Sequence, residues 1–149
     1  MRKVIIDSNL LFLLIIGTGG REEIGYWKKR LSAYSEDDFD RLVYFIAPYD
    51  SLVLLPNTLT EISNLIGDAQ DHRTTRARDA LKAIIDTSAE IYMPSIGVVA
   101  RKEFEWLGLS DTAQLQAAER DNHLLLTADG PLHAAALQRG VQAVHFSAL

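Results

Sequence analysis

Four carboxylates carry the clearest chemical signal in the sequence. Asp7 directly follows the apolar run Val4-Ile5-Ile6, and Asp129 follows Leu124-Leu125-Leu126-Thr127 with only Ala128 between. In open parallel sheets the loops beyond the carboxyl ends of strands present side chains to ligands. If these two strands are neighbours, their carboxylates converge. Asp111 opens a helix and Glu61 lies in the first turn of another, and a doubly wound sheet can aim both helix ends at the same edge. Four acids in one cleft cannot all ionise without a counter-charge, which makes a divalent cation their natural occupant. Each acid also has a purely structural reading. Asp7 and Asp111 are suited to N-caps, Thr58 and Glu61 have capping-box spacing, and Asp129-Gly130-Pro131 is common turn and helix-start chemistry.

The elements that must position these acids follow from the apolar pattern. Lys3 to Ile6 reads as a buried strand, and Asn9 to Ile16 as a helix so apolar all round that it must be well buried. Gly17 to Gly20 breaks that helix. Glu22 to Tyr34 and Glu36 to Ala47 read as helical, the second with Ser35 as its N-cap and Asp37 and Asp38 at its positive end. Leu52 to Leu55 is a second strand stopped by Pro56, and Thr58 to Ile66 a helix ended by Gly67. Asp68 to Thr75 is a polar connection into a helix from Arg76 to Ser88. Another helix follows Pro94 to about Trp106, and one more spans Asp111 to Asp121. Leu124 to Thr127 is strand, Leu132 to Arg139 helix, and Val141 to Phe146 a last strand. Strand alternating with helix implies an α/β fold with a central parallel sheet covered on both faces. With no internal repeat, low-complexity tract or linker, residues 1–149 read as one domain.

Composition narrows the chemistry further. The 149 residues are 48% hydrophobic and 23% charged, which fits one globular domain and excludes disordered and fibrous classes. Zero cysteines exclude disulfides, thiolate zinc sites and cysteine nucleophiles. The formal charge of −5 argues against bulk nucleic-acid coating, although setting the four acids aside leaves −1. Met1-Arg2-Lys3 before an apolar stretch imitates a signal peptide, but Asp7, Ser8 and Asn9 interrupt it. Val4 to Ile16 is too short to span a bilayer at about 20 residues per crossing. The reading is a cytoplasmic protein without membrane attachment.

Lys28-Lys29-Arg30 and Arg73, Arg76, Arg78 and Lys82 are the basic clusters available for a polyanion, with Tyr26, Trp27 and Trp106 as stacking surfaces. Such residues serve equally as solvated helix faces and core aromatics. The histidines show no metal-ligand spacing, and neither a Gly-rich phosphate loop nor a nucleophile elbow is present.

Four blocks, taken in order, resemble the PIN-domain nucleases. Val4-Ile5-Ile6-Asp7-Ser8-Asn9 looks like the opening of that family, and Leu55-Pro56-Asn57-Thr58-Leu59-Thr60-Glu61-Ile62 is similar to the helix carrying its second acid. Gly108-Leu109-Ser110-Asp111-Thr112-Ala113 resembles the third block, and Leu125-Leu126-Thr127-Ala128-Asp129 the fourth. The resemblance spans nearly the whole chain. It departs in a longer interval between Asp7 and Glu61, assigned to an inserted helix at about 17–34, in Gly-Ser where the third block often has an aromatic, and in Gly130-Pro131 after the last acid.

The resemblance implies a three-layer α/β/α PIN-like fold and a metal-dependent endoribonuclease. Asp7, Asp111 and Asp129 would hold Mg²⁺ or Mn²⁺, with Glu61 as a further ligand or water-orienting group. Ser8, Asn9 and Thr127 would orient the carboxylates. Small stand-alone members imply the toxin of a bacterial toxin-antitoxin pair, with RNA as substrate, an antitoxin as partner and a homodimer as assembly. Two other readings compete. One is a catalytically silent PIN-like binding or scaffold module with its acids reduced to caps. The other is a haloacid-dehalogenase-like phosphatase, which wants a second Asp where Asn9 stands.

Overall fold

Successive residues of each strand serve opposite faces of the sheet, and this alternation divides the apolar core in two. In the computed structural model, which describes residues 2–149, Val4, Ile6, Leu52, Leu54 and Leu126 point into one cluster. Ile5, Val53, Leu55 and Leu125 point into the other. The sheet is all parallel, in the order β3-β2-β1-β4-β5. Its strands are β1 (Lys3–Ile6), β2 (Ser51–Leu54), β3 (Ala89–Glu90), β4 (Leu124–Thr127) and β5 (Ala143–His145).

One face is covered by α1 (Ser8–Gly19), α3 (Glu36–Ile46), α4 (Pro56–Ile66) and α5 (His72–Asp86), through residues such as Phe39, Leu42, Ile62 and Ile84. The opposite face is covered by α6 (Ser95–Val99), α7 (Phe104–Asp121) and α8 (Gly130–Gln138), through Val98, Leu115 and Leu132. The result is the expected three-layer α/β/α arrangement. Every residue of α1 from Leu10 to Gly17 is buried, because the helix lies between the sheet and the outer helices α3 and α5. At Gly17 a Cβ would stand 2.2 Å from the Phe39 ring, so only glycine admits this approach of α1 to α3.

The chain runs outward from β1 to β2 and β3, then crosses back to place β4 on the free side of β1. Strand order therefore reverses between β1 and β4, where ligand crevices form in such sheets. Val4, Ile5 and Ile6 are in register with Leu124, Leu125 and Leu126. Asp7 N–H extends this ladder by donating to the Leu126 carbonyl at 3.1 Å.

Several elements differ from the sequence reading. Glu22 to Tyr34 is not one helix but a 3-10 segment, Arg21–Tyr26, followed by the short α2 (Lys28–Leu31). Trp27, with φ −91° and ψ 52°, breaks it and meets Phe12 edge-on at 5.8 Å. Helix α5 starts at His72 because Asp71 caps it, accepting from Thr74 N–H at 2.8 Å. The helix after Pro94 ends at Val99. The following turn places Glu103, 3% exposed, to accept from Arg139 Nε and Nη2 at 2.6 and 2.9 Å. Thr58 is not an N-cap: α4 begins at Pro56, and the cap position, Leu55, offers no side-chain bond. Glu61 is thereby released from the capping-box role.

Candidate functional site

Two helix N-termini and one hydroxyl bring Asp7 and Asp129 together at the β1–β4 reversal. Asp7 caps α1, accepting from Leu10 N–H at 3.0 Å through Oδ1. Its Oδ2 accepts from the Thr127 hydroxyl at 2.5 Å and from Ala128 N–H at 2.8 Å. Thr127, fully buried at the end of β4, also accepts from Asp129 N–H at 2.9 Å. A single hydroxyl thus fixes both acid-bearing loops. Asp129 in turn caps α8 through Oδ2, accepting from Leu132 N–H at 2.9 Å. The structural reading of both aspartates is correct, yet each retains oxygen lone pairs that these bonds do not use.

Asp111 is different. The backbone of α7 leaves helical geometry at Gly108, with φ +80°, and this break turns the following helix so that Asp111 lies on the wall of a cleft. Burial first, and then the charges of Asp7, Asp129 and Glu61, push its carboxyl up to about 7 from an ordinary 3.8. Among the described residues no hydrogen bond or ion pair reaches it, so the N-cap reading of Asp111 fails. Asp7 is likewise raised, by burial foremost, against its three hydrogen bonds and with a further contribution from Asp129. The four carboxylates therefore share one electrostatic field.

Glu61 enters that field from α4 and is met by a cation. Arg30 Nη2 donates to Glu61 Oε1 at 3.1 Å, with the two side chains 40% and 38% exposed. The cleft, about 750 Å³, has Asn9, Arg30, Asn57, Glu61, Leu109 and Asp111 among its walls. Among the described residues, no three His, Asp or Glu side chains stand ready at metal-ligand spacing. Asp7 is bonded by backbone N–H groups and the Thr127 hydroxyl, Asp129 by Leu132 N–H, and Glu61 by Arg30.

Among the proposed orienting residues, Thr127 makes the bonds described. Ser8 Oγ lies 3.5 Å from Ser110 Oγ, and Asn9 is an exposed wall of the cleft. The basic residues divide. Lys28, Lys29 and Arg30 cluster beside the cleft, whereas Arg73 and Arg76 are held by acidic partners. Arg73 donates to Glu23 at 2.9 Å, and Arg76 to Glu23 and Glu22 at 3.0 and 3.1 Å. These pairs fasten the 3-10 segment to α5. Arg78 is likewise engaged, donating to the Ala69 carbonyl at 3.1 Å.

Sequence reasoning missed a polar network behind the cleft. Ser110 Oγ lies 3.2 Å from Thr58 Oγ1, which accepts from Gln114 Nε2 at 3.0 Å. It ties α4, carrying Glu61, to α7, carrying Asp111. The available signal was helical spacing: Ser110 and Gln114 stand one turn apart on the face that also presents the inward residues of α7.

No protein-family model and no curated protein matches the chain.

Proposed function

We infer that this chain is a divalent-cation-dependent endoribonuclease of the PIN-domain type, acting on RNA phosphodiester bonds. One observation carries the reading: four carboxylates lie near enough at the strand-order reversal for the charges of three to act on the fourth, Asp111, which has no hydrogen-bond or ion-pair partner among the described residues. An unpaired carboxylate in the field of three others is costly to keep ionised. A structural cap would not leave it so. This weighs against the silent-scaffold reading, and Asn9 in place of a second Asp weighs against the phosphatase reading.

The donor set fits a hard cation, being all oxygen and carrying excess negative charge. Asp7, Asp111 and Asp129, with Glu61, would hold Mg²⁺ or Mn²⁺, which supplies Lewis-acid activation of water and neutralises charge developing on the phosphate. The chain's own residues set the stage. Thr127 holds Asp7 and Asp129 in a fixed relation, the Ser110–Thr58–Gln114 network fixes α4 against α7, and the Gly108 break aims Asp111 into the cleft.

The same reading makes the protein a toxin with a cognate antitoxin and a homodimeric state, in the cytoplasm. No helix among the described residues is long and apolar enough to cross a membrane. Cleavage of single-stranded RNA in Mg²⁺ or Mn²⁺ tests the central claim. Activity should be lost in chelator and in Asp7→Asn and Asp111→Asn variants that remain folded. Activity unchanged in both variants overturns it.

A further inference from the structure

A second pocket adjoins the acid cleft and shares Arg30 with it. It holds about 480 Å³, and Tyr26, Trp27, Lys28, Lys29, Arg30 and Leu65 line it, with no acidic side chain on its wall. Its floor is apolar and aromatic. Trp27 is braced edge-on against Phe12, with an interplanar angle of 88°, and is therefore held in one orientation. Tyr26 is 63% exposed, and the Arg73 guanidinium lies 3.5 Å from its ring centroid. Arg73 is itself anchored by Glu23 at 2.9 Å, so the ring is braced too. Lys28 and Lys29 are exposed on α2, and among the described residues neither has an ion-pair partner.

A fixed aromatic platform flanked by cations without counter-ions is what a single-stranded polynucleotide needs: a surface for a base and charges for its phosphates. An acidic peptide would use the cations but gain little from the aromatic floor. The geometry points to this pocket as a nucleotide subsite, holding the base and phosphate that flank the scissile bond in the acid cleft. The inference rests on the ribonuclease reading and adds to it the place where the strand is held, threaded past α2. Arg30 joins the two compartments. Its pair with Glu61 is single and substantially exposed, the kind of ion pair that is readily exchanged. Its planar fork can pass from that carboxylate to an incoming phosphate, which it can grip with two nitrogens. Glu61 is then free to turn toward the other acids.

The chain has two tryptophans, so a Trp106→Phe background leaves Trp27 as the only indole emitter. Adding Asp111→Asn suppresses cleavage while RNA is titrated in Mg²⁺. A single-stranded RNA hexamer should quench Trp27 emission, and an oligoglutamate of equal charge should not. Lys28→Ala/Lys29→Ala should weaken RNA binding about tenfold and lower the slope of log K against log salt by about one. In the otherwise native enzyme the same double variant should raise KM about tenfold with kcat within about twofold, a split that misfolding would not give. RNA cleaved by the native protein, but without quenching or a change in KM, overturns the subsite and leaves the ribonuclease reading intact. Quenching by oligoglutamate as strong as by RNA also overturns it, identifying an acidic polypeptide as the occupant. A native protein that neither binds nor cleaves RNA overturns both readings.

Discussion

Asp111→Asn should make the cation-free protein more stable. The wild-type carboxyl has no hydrogen-bond partner among the described residues and is pushed to about 7 by burial and three neighbouring carboxylates. Relative to an ordinary 3.8, that displacement corresponds to at most ~4 kcal/mol of destabilisation when the group is ionised. Asp111 lines an open cleft, and solvent screening reduces the figure to about 1–3 kcal/mol. The sign follows from proton counts. Between pH 4 and 7 the folded chain holds this proton while the unfolded chain has lost it, so wild-type stability falls as pH rises through that window. The amide variant has no such loss. Its advantage should therefore be absent at pH 4, grow to pH 7 and stay constant above. For a chain of this size 1–3 kcal/mol is a rise in Tm of about 3–9 °C. Thermal unfolding in chelator at pH 4.5, 6 and 8 measures it. Added Mg²⁺ at about a hundred times its Kd should raise the wild type by ~2.7 kcal/mol and the variant by less. Equal stability at pH 8, or a difference independent of pH, would refute the shared-field account of the four acids.

Three further substitutions probe the frame. Thr127→Val removes the hydroxyl that bonds Asp7 at 2.5 Å and Asp129 N–H at 2.9 Å. It should lower stability by about 1–3 kcal/mol and cut RNA cleavage about 10–100-fold, read by denaturant titration and by rate. Gly17→Ala drives a methyl into the Phe39 ring, 2.2 Å from the new Cβ, and should cost about 1–3 kcal/mol. Adding Phe39→Leu should recover part of that loss, a non-additivity visible in a double-mutant cycle. Glu103→Gln weakens two charge-assisted bonds from Arg139 and should cost about 2 kcal/mol at neutral pH. Because Arg139 holds the Glu103 carboxyl down at about 2, the ionised group stabilises the fold above pH 4.5. That contribution is lost as pH falls toward 2, so the gap between wild type and variant should close over the same range.

The strands β1, β2 and β4 were legible because each is a short unbroken apolar run, the mark of burial on both faces. Edge strand β3 was not, since two residues with a half-exposed alanine and an exposed glutamate leave no such run. The start of α5 was hidden because its cap, Asp71, sits in an otherwise polar stretch. The segment 22–34 has helical spacing, but Glu23 is drawn into the interior by Arg73 and Arg76, about fifty positions away, and that long-range pairing overrides local preference. The positions of the acids could be read from their places after strands and at helix starts. That Arg30 faces Glu61 could not, because it depends on how residues 28–31 fold back onto α4.

The structure gives the net charge of −5 a spatial meaning. Arg73 and Arg76 are neutralised by Glu22 and Glu23 and Arg30 is paired with Glu61, so the unpaired basic character near the cleft belongs to Lys28 and Lys29. Their field extends only about 8–10 Å at physiological salt, and the four acids lie next to it. On the proposed reading, without a cation those acids would repel the phosphate that follows a nucleotide held by the lysines. RNA affinity should therefore rise steeply when Mg²⁺ is added to the wild type. In Asp111→Asn, which removes the carboxylate with no partner among the described residues, the cation-free protein should already bind more tightly and the Mg²⁺-dependent rise should be smaller. Titration of an RNA hexamer with and without Mg²⁺ compares the two. An Mg²⁺ response of equal size in both proteins would mean that Asp111 does not oppose the phosphate, and that the cleft and the basic pocket act on RNA separately.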